Sequence, residues 1–383
     1  MSTAVGAHPG GHAPAPGHPG GHASAPGHPG GHAPAPGPAG HPGGKPDLDR
    51  APITVAWELT RACALRCRHC RASAITRRDP AELSTDEGKR LISDIAASGA
   101  RVLVLTGGDP LARPDLAELV AWGHAEGLHV GLSPAVTGRL RYARLAELAE
   151  AGVASVHLSL DGASAATHDG LRGVNGSFDR TLTALDWVGE LGLRLQIGTS
   201  VTTGTVGDLP ALATLLTDHP VTMWNLFFLV PTGRGEDLAT LDAAEHEAAL
   251  TWLAEASGDL PFGVRTTAAP TYRRIRHDLG LAPPPAGSAN DGRGFCFVSH
   301  TGEVHPSGFL PIPVGHVREA PLGEIYREAP LMRALRDPAQ LKGACGRCDW
   351  ARICGGSRAR AYALTGDPLA SDPTCAHVPA LTG

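Results

Sequence analysis

Between residues 52 and 230, short runs of β-branched and other apolar residues alternate six times with amphipathic stretches. That alternation restricts the chain to βα units built on a parallel sheet. The runs fall at 53–59, 101–105, 129–132, 155–160, 194–201 and 223–229. After the first, Ser84 with Glu87 three residues on makes a capping box, Leu91, Ile92 and Ile95 follow at helical spacing, and Gly99 ends the helix. Barrels of parallel strands carry their chemistry on the loops at the strands' carboxyl ends. The unusual segments obey that rule. A cysteine-rich segment follows the first run, Thr106-Gly107-Gly108-Asp109-Pro110 the second, Ser133-Pro-Ala the third and Ser159-Leu-Asp161-Gly162 the fourth. Thr199-Ser200 ends the fifth, and Val230-Pro-Thr-Gly233-Arg-Gly235 follows the sixth.

The cysteine-rich segment reads Cys63-Ala-Leu-Arg-Cys67-Arg-His-Cys70. Three thiolates at intervals of four and three can hold one iron–sulfur cluster in a single loop. A four-iron cluster normally takes four Cys ligands, so three leave one iron open to a small molecule. The same open position separates catalytic from structural zinc sites. Buried structural cysteines or a zinc knuckle form the competing reading, with His69 inside the loop as a further ligand. Arg66, Arg68 and Arg71 beside it suit a net-negative cluster and an anionic ligand. The eight cysteines fall in two groups with none between Cys70 and Cys296, and no signal peptide precedes them. Metal ligation at two centres is therefore expected rather than disulfides. A net charge of −5 over 383 residues gives no footing for bulk nucleic-acid binding, and no run of eighteen apolar residues offers a membrane span. A cytoplasmic protein is expected.

The C-x3-C-x2-C spacing followed by Thr106-Gly-Gly-Asp109-Pro110 resembles the radical S-adenosylmethionine (SAM) superfamily. The resemblance implies an α/β fold, a partial (β/α)6 TIM-like barrel, with a [4Fe-4S] cluster on Cys63, Cys67 and Cys70. It implies that one electron, from a reductant such as flavodoxin or ferredoxin, cleaves SAM to a 5′-deoxyadenosyl radical that takes a substrate hydrogen. Gly107, Gly108 and Asp109 would meet the amino group of the methionine moiety, although the family more often has Glu where Asp109 stands. His69 would lie along the adenine, and the Val230–Gly235 segment would meet its edges. Ser159 and Asp161 could bond ribose hydroxyls or the cofactor carboxylate, with Arg172 pairing to that carboxylate; a helix cap and a surface ion pair are the plainer alternatives. No general acid or base is assigned, since His124, His129 and His157 suit structural roles equally well.

After Pro261 the pattern shifts. Residues 294–306 read as a hairpin, and Cys345-x2-Cys348-x5-Cys354 with Cys375 follows. This resembles the SPASM (twitch-like) extension, in which such cysteines hold an auxiliary cluster; a zinc ribbon competes. Pro306-Ser307 and Gly355-Gly356-Ser357 stand where fuller modules place Cys. One auxiliary cluster is therefore expected, with Cys296 left unpaired. Three regions result: a tail over 1–50, a radical SAM core over 51–260 and a SPASM-like domain over 261–383. The tail repeats His8-Pro-Gly-Gly-His12 every ten residues and is expected to be disordered, either a metal- or haem-touching arm or a solubilising one.

Cys67-Arg-His-Cys70-Arg71-Ala72, Val230–Gly235 and the segment 358–367 resemble the tetrapyrrole-modifying branch of haem d1 and alternative haem biosynthesis, in which Arg66, Arg68 and Arg71 could receive propionates. The alternatives are a peptide maturase of the mycofactocin or pyrroloquinoline quinone kind, and a non-catalytic iron–sulfur or metal-binding protein.

Overall fold

Every expected strand forms, and the alternation of apolar side chains along them decides which way the sheet faces. The computed structural model describes residues 47–282 and 289–377. The repeats of the tail lie outside these. Seven parallel strands run β1 (Thr54–Glu58), β2 (Val102–Thr106), β3 (His129–Leu132), β4 (Val153–Ser159), β5 (Arg194–Val201), β6 (Val221–Phe228) and β7 (Gly263–Thr267). Four short strands follow: β8 (Asn290–Asp291), β9 (Gly294–Val298), β10 (Glu303–His305) and β11 (Gly315–His316). The sheet order is β11-β10-β9-β1-β2-β3-β4-β5-β6-β7, with β8 beside β9.

Helices α1 (Thr85–Ala97), α2 (Leu116–Ala125), α3 (Tyr142–Glu150), α4 (Ala165–Arg172), α5 (Ser177–Glu190) and α6 (Leu209–Thr217) cross between the first six strands. Ser84 caps α1 as expected: its hydroxyl accepts from the Glu87 amide, and Glu87 Oε2 accepts from the Ser84 amide at 2.8 Å. The helices cover one face of the sheet. Val55, Trp57, Leu103, Leu105, Leu195 and Ile197 point into this helix-covered core with the apolar faces of α1, α2 and α5. Gly88 on α1 makes room for Trp57, since a Cβ there would lie 2.5 Å from the indole.

The intervening residues line the other, inner face. Glu58, Ser159, Gln196, Asn225 and Phe227 belong to this set, because each sits between neighbours buried in the outer core, and Arg265 joins them by its register opposite Asn225. The sheet curls, bringing the Phe227 ring of β6 within 6.3 Å of the Phe309 ring beyond β10. Among the described residues its edge strands β7 and β11 do not pair, so the barrel is partial and open.

One feature departs from the expected plan. The hairpin 294–305 does not stand apart: β9 pairs in parallel with β1, Ala56 opposite Phe297 and Trp57 opposite Val298. The expected border at 260/261 thus falls within one continuous sheet, between β6 and β7. Residues 47–50, assigned to the tail by the sequence, form a turn whose Leu48 carbonyl accepts from Tyr326 Oη at 2.6 Å.

Candidate cofactor site and a second cysteine centre

Because β1 to β6 run parallel, the segments that follow them meet at one rim, and three of them grip the loop that carries Cys63, Cys67 and Cys70. From the segment after β2, the Gly108 and Asp109 amides donate to the Thr60 and Ala62 carbonyls, both at 2.7 Å. A Cβ at Gly107 or Gly108 would lie 2.5 Å from the Thr60 or Arg61 carbonyl oxygen, so only glycine permits this approach. From α4, the Leu171 carbonyl accepts from the Arg68 amide at 2.9 Å. From the segment after β6, the Arg234 amide donates to the Cys70 carbonyl, and its guanidinium to the carbonyls of Cys67 at 2.9 Å and Ala74 at 3.2 Å.

These contacts revise several sequence assignments. The Asp109 carboxylate is engaged within the protein, accepting from the Leu111 amide at 3.2 Å and Thr137 Oγ1 at 2.8 Å. The Asp109 carbonyl accepts from the Ala112 amide at 2.9 Å, so what this segment still offers a ligand amine is the carbonyl oxygens of Gly107 and Gly108. The Arg234 amide, expected among groups free for adenine, serves the cysteine loop instead. Asp161 and Arg172 pair with each other at 2.6 Å; Asp161 Oδ1 accepts from the Ser200 amide at 2.7 Å, and Arg172 Nη1 reaches Cys67 Sγ at 3.8 Å. This pair is buried, not the surface bridge considered above. Burial alone would raise the Asp161 carboxyl, but Arg172 foremost, then His69 and His168, bring it down to about 2.

An Arg172→Gln change leaves Asp161 buried without its cation, and breaking such a pair costs about 3–5 kcal/mol. Denaturant unfolding of the variant should show a loss of that size. The contribution is fully present above the ordinary Asp value of 3.8 and fades as pH falls towards about 2.

His69 lies in the same neighbourhood, its Nδ1 buried without a partner. Burial foremost pushes its pKa down to about 4, so the ring is neutral at physiological pH. Ser159 ends β4 on the inner face, half-buried. Arg66 and Arg68 are exposed, and Arg71 pairs with Glu58 at 3.1 Å. Burial foremost raises the Cys63 thiol to about 11, and Asp109, Cys67 and Cys70 add to the rise. Cys63 and Cys67, both pushed up foremost by burial, fit a group bearing positive iron, and the buried, unpartnered Nδ1 of His69 is left for a further ligand.

The second cysteine group surrounds a hollow partly open to solvent, lined by Cys345, Cys348, Cys354 and Cys375 with Trp350 and His377. Amides of Gly356 and Asp372 donate to the sulfurs of Cys354 and Cys345 at 3.4 and 3.5 Å. Arg358 is buried and points Nη2 at Cys345 Sγ, 3.6 Å away, its other donors on the Gly356, Pro368 and Ala370 carbonyls. Gly356, at φ +66°, makes that possible: a Cβ would lie 2.5 Å from Nη2 and 3.0 Å from the sulfur. Among the described residues no three His, Cys, Asp or Glu side chains converge on a single-ion geometry. Four thiols round one hollow are a complete ligand set for a four-iron cluster. Cys296 is sealed in the helix-covered core, its thiol pushed up to about 12 by burial, and joins neither group.

A three-thiol loop on the rim of an open parallel barrel suits an iron–sulfur enzyme. Residues 57–210 match the family model of the radical SAM superfamily. The chain is 38% identical over 345 residues to an AdoMet-dependent heme synthase of Methanosarcina barkeri, covering 87% of this chain and 98% of that protein. It is 32% identical to an Fe-coproporphyrin III synthase of the same organism, covering 85% and 88%, and 34% to the mycofactocin maturase MftC of Mycobacterium ulcerans, with the same coverage. A crystal structure of Streptococcus suis SuiB bound to S-adenosylmethionine shares the fold, at TM-score 0.68 and 14% identity over 86% of this chain and 78% of that one. The chain belongs to the radical SAM superfamily. It is a radical SAM enzyme, with SAM and iron–sulfur clusters as its cofactors.

Proposed function

We propose that this enzyme alters a side chain of a tetrapyrrole on the path to haem. The observation that carries the proposal is the 38% identity to the M. barkeri heme synthase across 98% of that protein's length. The inner face supports it: His157 stacks on Phe227 at 5.6 Å and 23°, Phe309 continues the wall, and Phe297 meets His305 edge-on at 6.0 Å. Flat rings favour a flat substrate.

In this reading Cys63, Cys67 and Cys70 hold the rim cluster and Cys345, Cys348, Cys354 and Cys375 the auxiliary one. The Gly107–Asp109 segment would receive the SAM amine, with His69 and Ser159 beside the nucleoside. SAM bound at the rim cluster supplies a hydrogen-abstracting radical; the protein's part is to hold SAM and substrate in register and keep water out. Asp161 and Arg172 act through the loop, fixing Cys67 from behind. Electrons come from a flavodoxin or ferredoxin in the cytoplasm. No helix among the described residues is long and apolar enough to cross a membrane.

A peptide maturase is the second reading, favoured by the similarity to MftC. An anaerobic assay with reductant and SAM, offering iron coproporphyrin and candidate peptides side by side, decides between them by mass spectrometry. Mass change confined to the porphyrin is expected; change confined to a peptide reverses the assignment.

A further inference from the structure

Most interior arginines of this chain have an evident partner. Arg71 has Glu58, Arg172 has Asp161, Arg274 has Glu247 and Arg360 has Asp372. Arg265, on the inner face of β7, does not. It stands opposite Asn225 in the register, between Val264 in the outer core and the threonines that end the strand. Its one side-chain hydrogen bond among the described residues runs from Nη2 to Gln196 Oε1 at 3.4 Å, a neutral partner at long range. Burial alone pushes its pKa below the usual guanidinium range, and no acid offsets it. A half-buried cation held this way is short of an anion.

A second observation comes from the neighbouring wall. The ring of His157 lies across β5, where Gly198 leaves the space: a Cβ there would meet Nε2 at 2.5 Å. The ring stacks on Phe227, and Nε2 is buried with no partner. The inner face of β4 to β7 thus combines a flat aromatic wall, an unsatisfied imidazole nitrogen and an unneutralised guanidinium. Arg66 and Arg68, which the sequence offered for propionates, are exposed, and Arg71 is already matched by Glu58.

We propose that Arg265 forms a carboxylate-receiving subsite, binding an acidic side chain at the periphery of a flat substrate that lies against His157 and Phe227. This rests on the tetrapyrrole reading and names the contact that selects acid-bearing rings. A charge-assisted, two-point bond from guanidinium to carboxylate is stronger than a neutral one. Removing it should weaken binding about tenfold or more.

The test uses the full reconstituted chain, without oxygen, titrated with iron coproporphyrin III and with its tetramethyl ester and followed by the porphyrin's absorption band. Wild type should bind the acid at least about tenfold more tightly than the ester. Arg265→Met and Arg265→Gln should bind the two alike, at the level of the wild type's ester affinity, with Arg265→Lys between. Their melting temperatures and the SAM-induced change in the rim cluster's EPR spectrum should match wild type. Acid binding by Arg265→Gln as tight as by wild type overturns the subsite and leaves the tetrapyrrole reading standing. A wild type that binds neither porphyrin overturns that reading and the subsite with it. Equal wild-type affinity for acid and ester overturns the subsite alone.

Discussion

In a Cys67→Ala variant, SAM cleavage falls to background, and anaerobic reconstitution yields about four irons per chain where the wild type yields about eight. Of the three rim thiols Cys67 is the most enclosed, 8% exposed, and the loop is built around it. Arg172 approaches its sulfur and Arg234 Nε bonds its carbonyl at 2.9 Å. Two remaining thiols cannot hold a four-iron cluster that already lacks a fourth. Loss of a partner that merely orients a ligand costs about 10–100-fold in affinity or activity, so loss of the ligand itself should exceed about 100-fold. The readout is 5′-deoxyadenosine formed under strong reductant, together with iron content. Retained cleavage with eight irons contradicts the assignment.

The second large effect separates the two centres. Cys348→Ala should leave SAM cleavage within about threefold of wild type while product formation drops more than about 100-fold, judged by the same scale. Cys348 is suited to the test because its surroundings are half-open and its side chain serves no other bond among the described residues. Cys345 is a poor choice: its sulfur accepts from Arg358 and the Asp372 amide, so its loss leaves the buried Nη2 of Arg358 without its partner. The cysteine loop of the rim draws its hydrogen bonds from the segments after β2 and β6 and from α4, none of which belongs to the second cysteine group. Parallel loss of cleavage and product, in a variant whose circular dichroism is unchanged, would show that the two centres are not independent.

How much of this was legible in the sequence follows from the range of the interactions. The six strands were readable because alternation and caps are local, and the capping box at Ser84 formed as read. The rim was readable too, since a parallel barrel sends every post-strand segment to one side. The pairing of β9 with β1 was not: it joins residues about 240 apart, and the segment Gly294–Val298 carries no mark of its distant partner. Asp109 was read as a ligand contact on the family resemblance, and Asp161 and Arg172 as partners of ribose or carboxylate with a cap and a surface ion pair as alternatives. In the structure Asp109 serves Thr137, and the other two serve each other. Arg265 went unnoticed because one arginine in Gly-Val-Arg-Thr-Thr looks like an edge-strand surface charge until the sheet's curl turns that face inward. Gly356 read only as part of a place where relatives show Cys; its role beside Arg358 and Cys345 depends on a missing Cβ, visible only in three dimensions.

The central claim is that the rim loop holds a cluster with one iron left for SAM. Cryogenic EPR of the reduced Cys348→Ala variant, in which only that cluster should remain, tests it before and after addition of SAM labelled with nitrogen-15 in its amino group. A shifted spectrum with hyperfine coupling to the label is the predicted result. An unchanged spectrum without coupling contradicts the account.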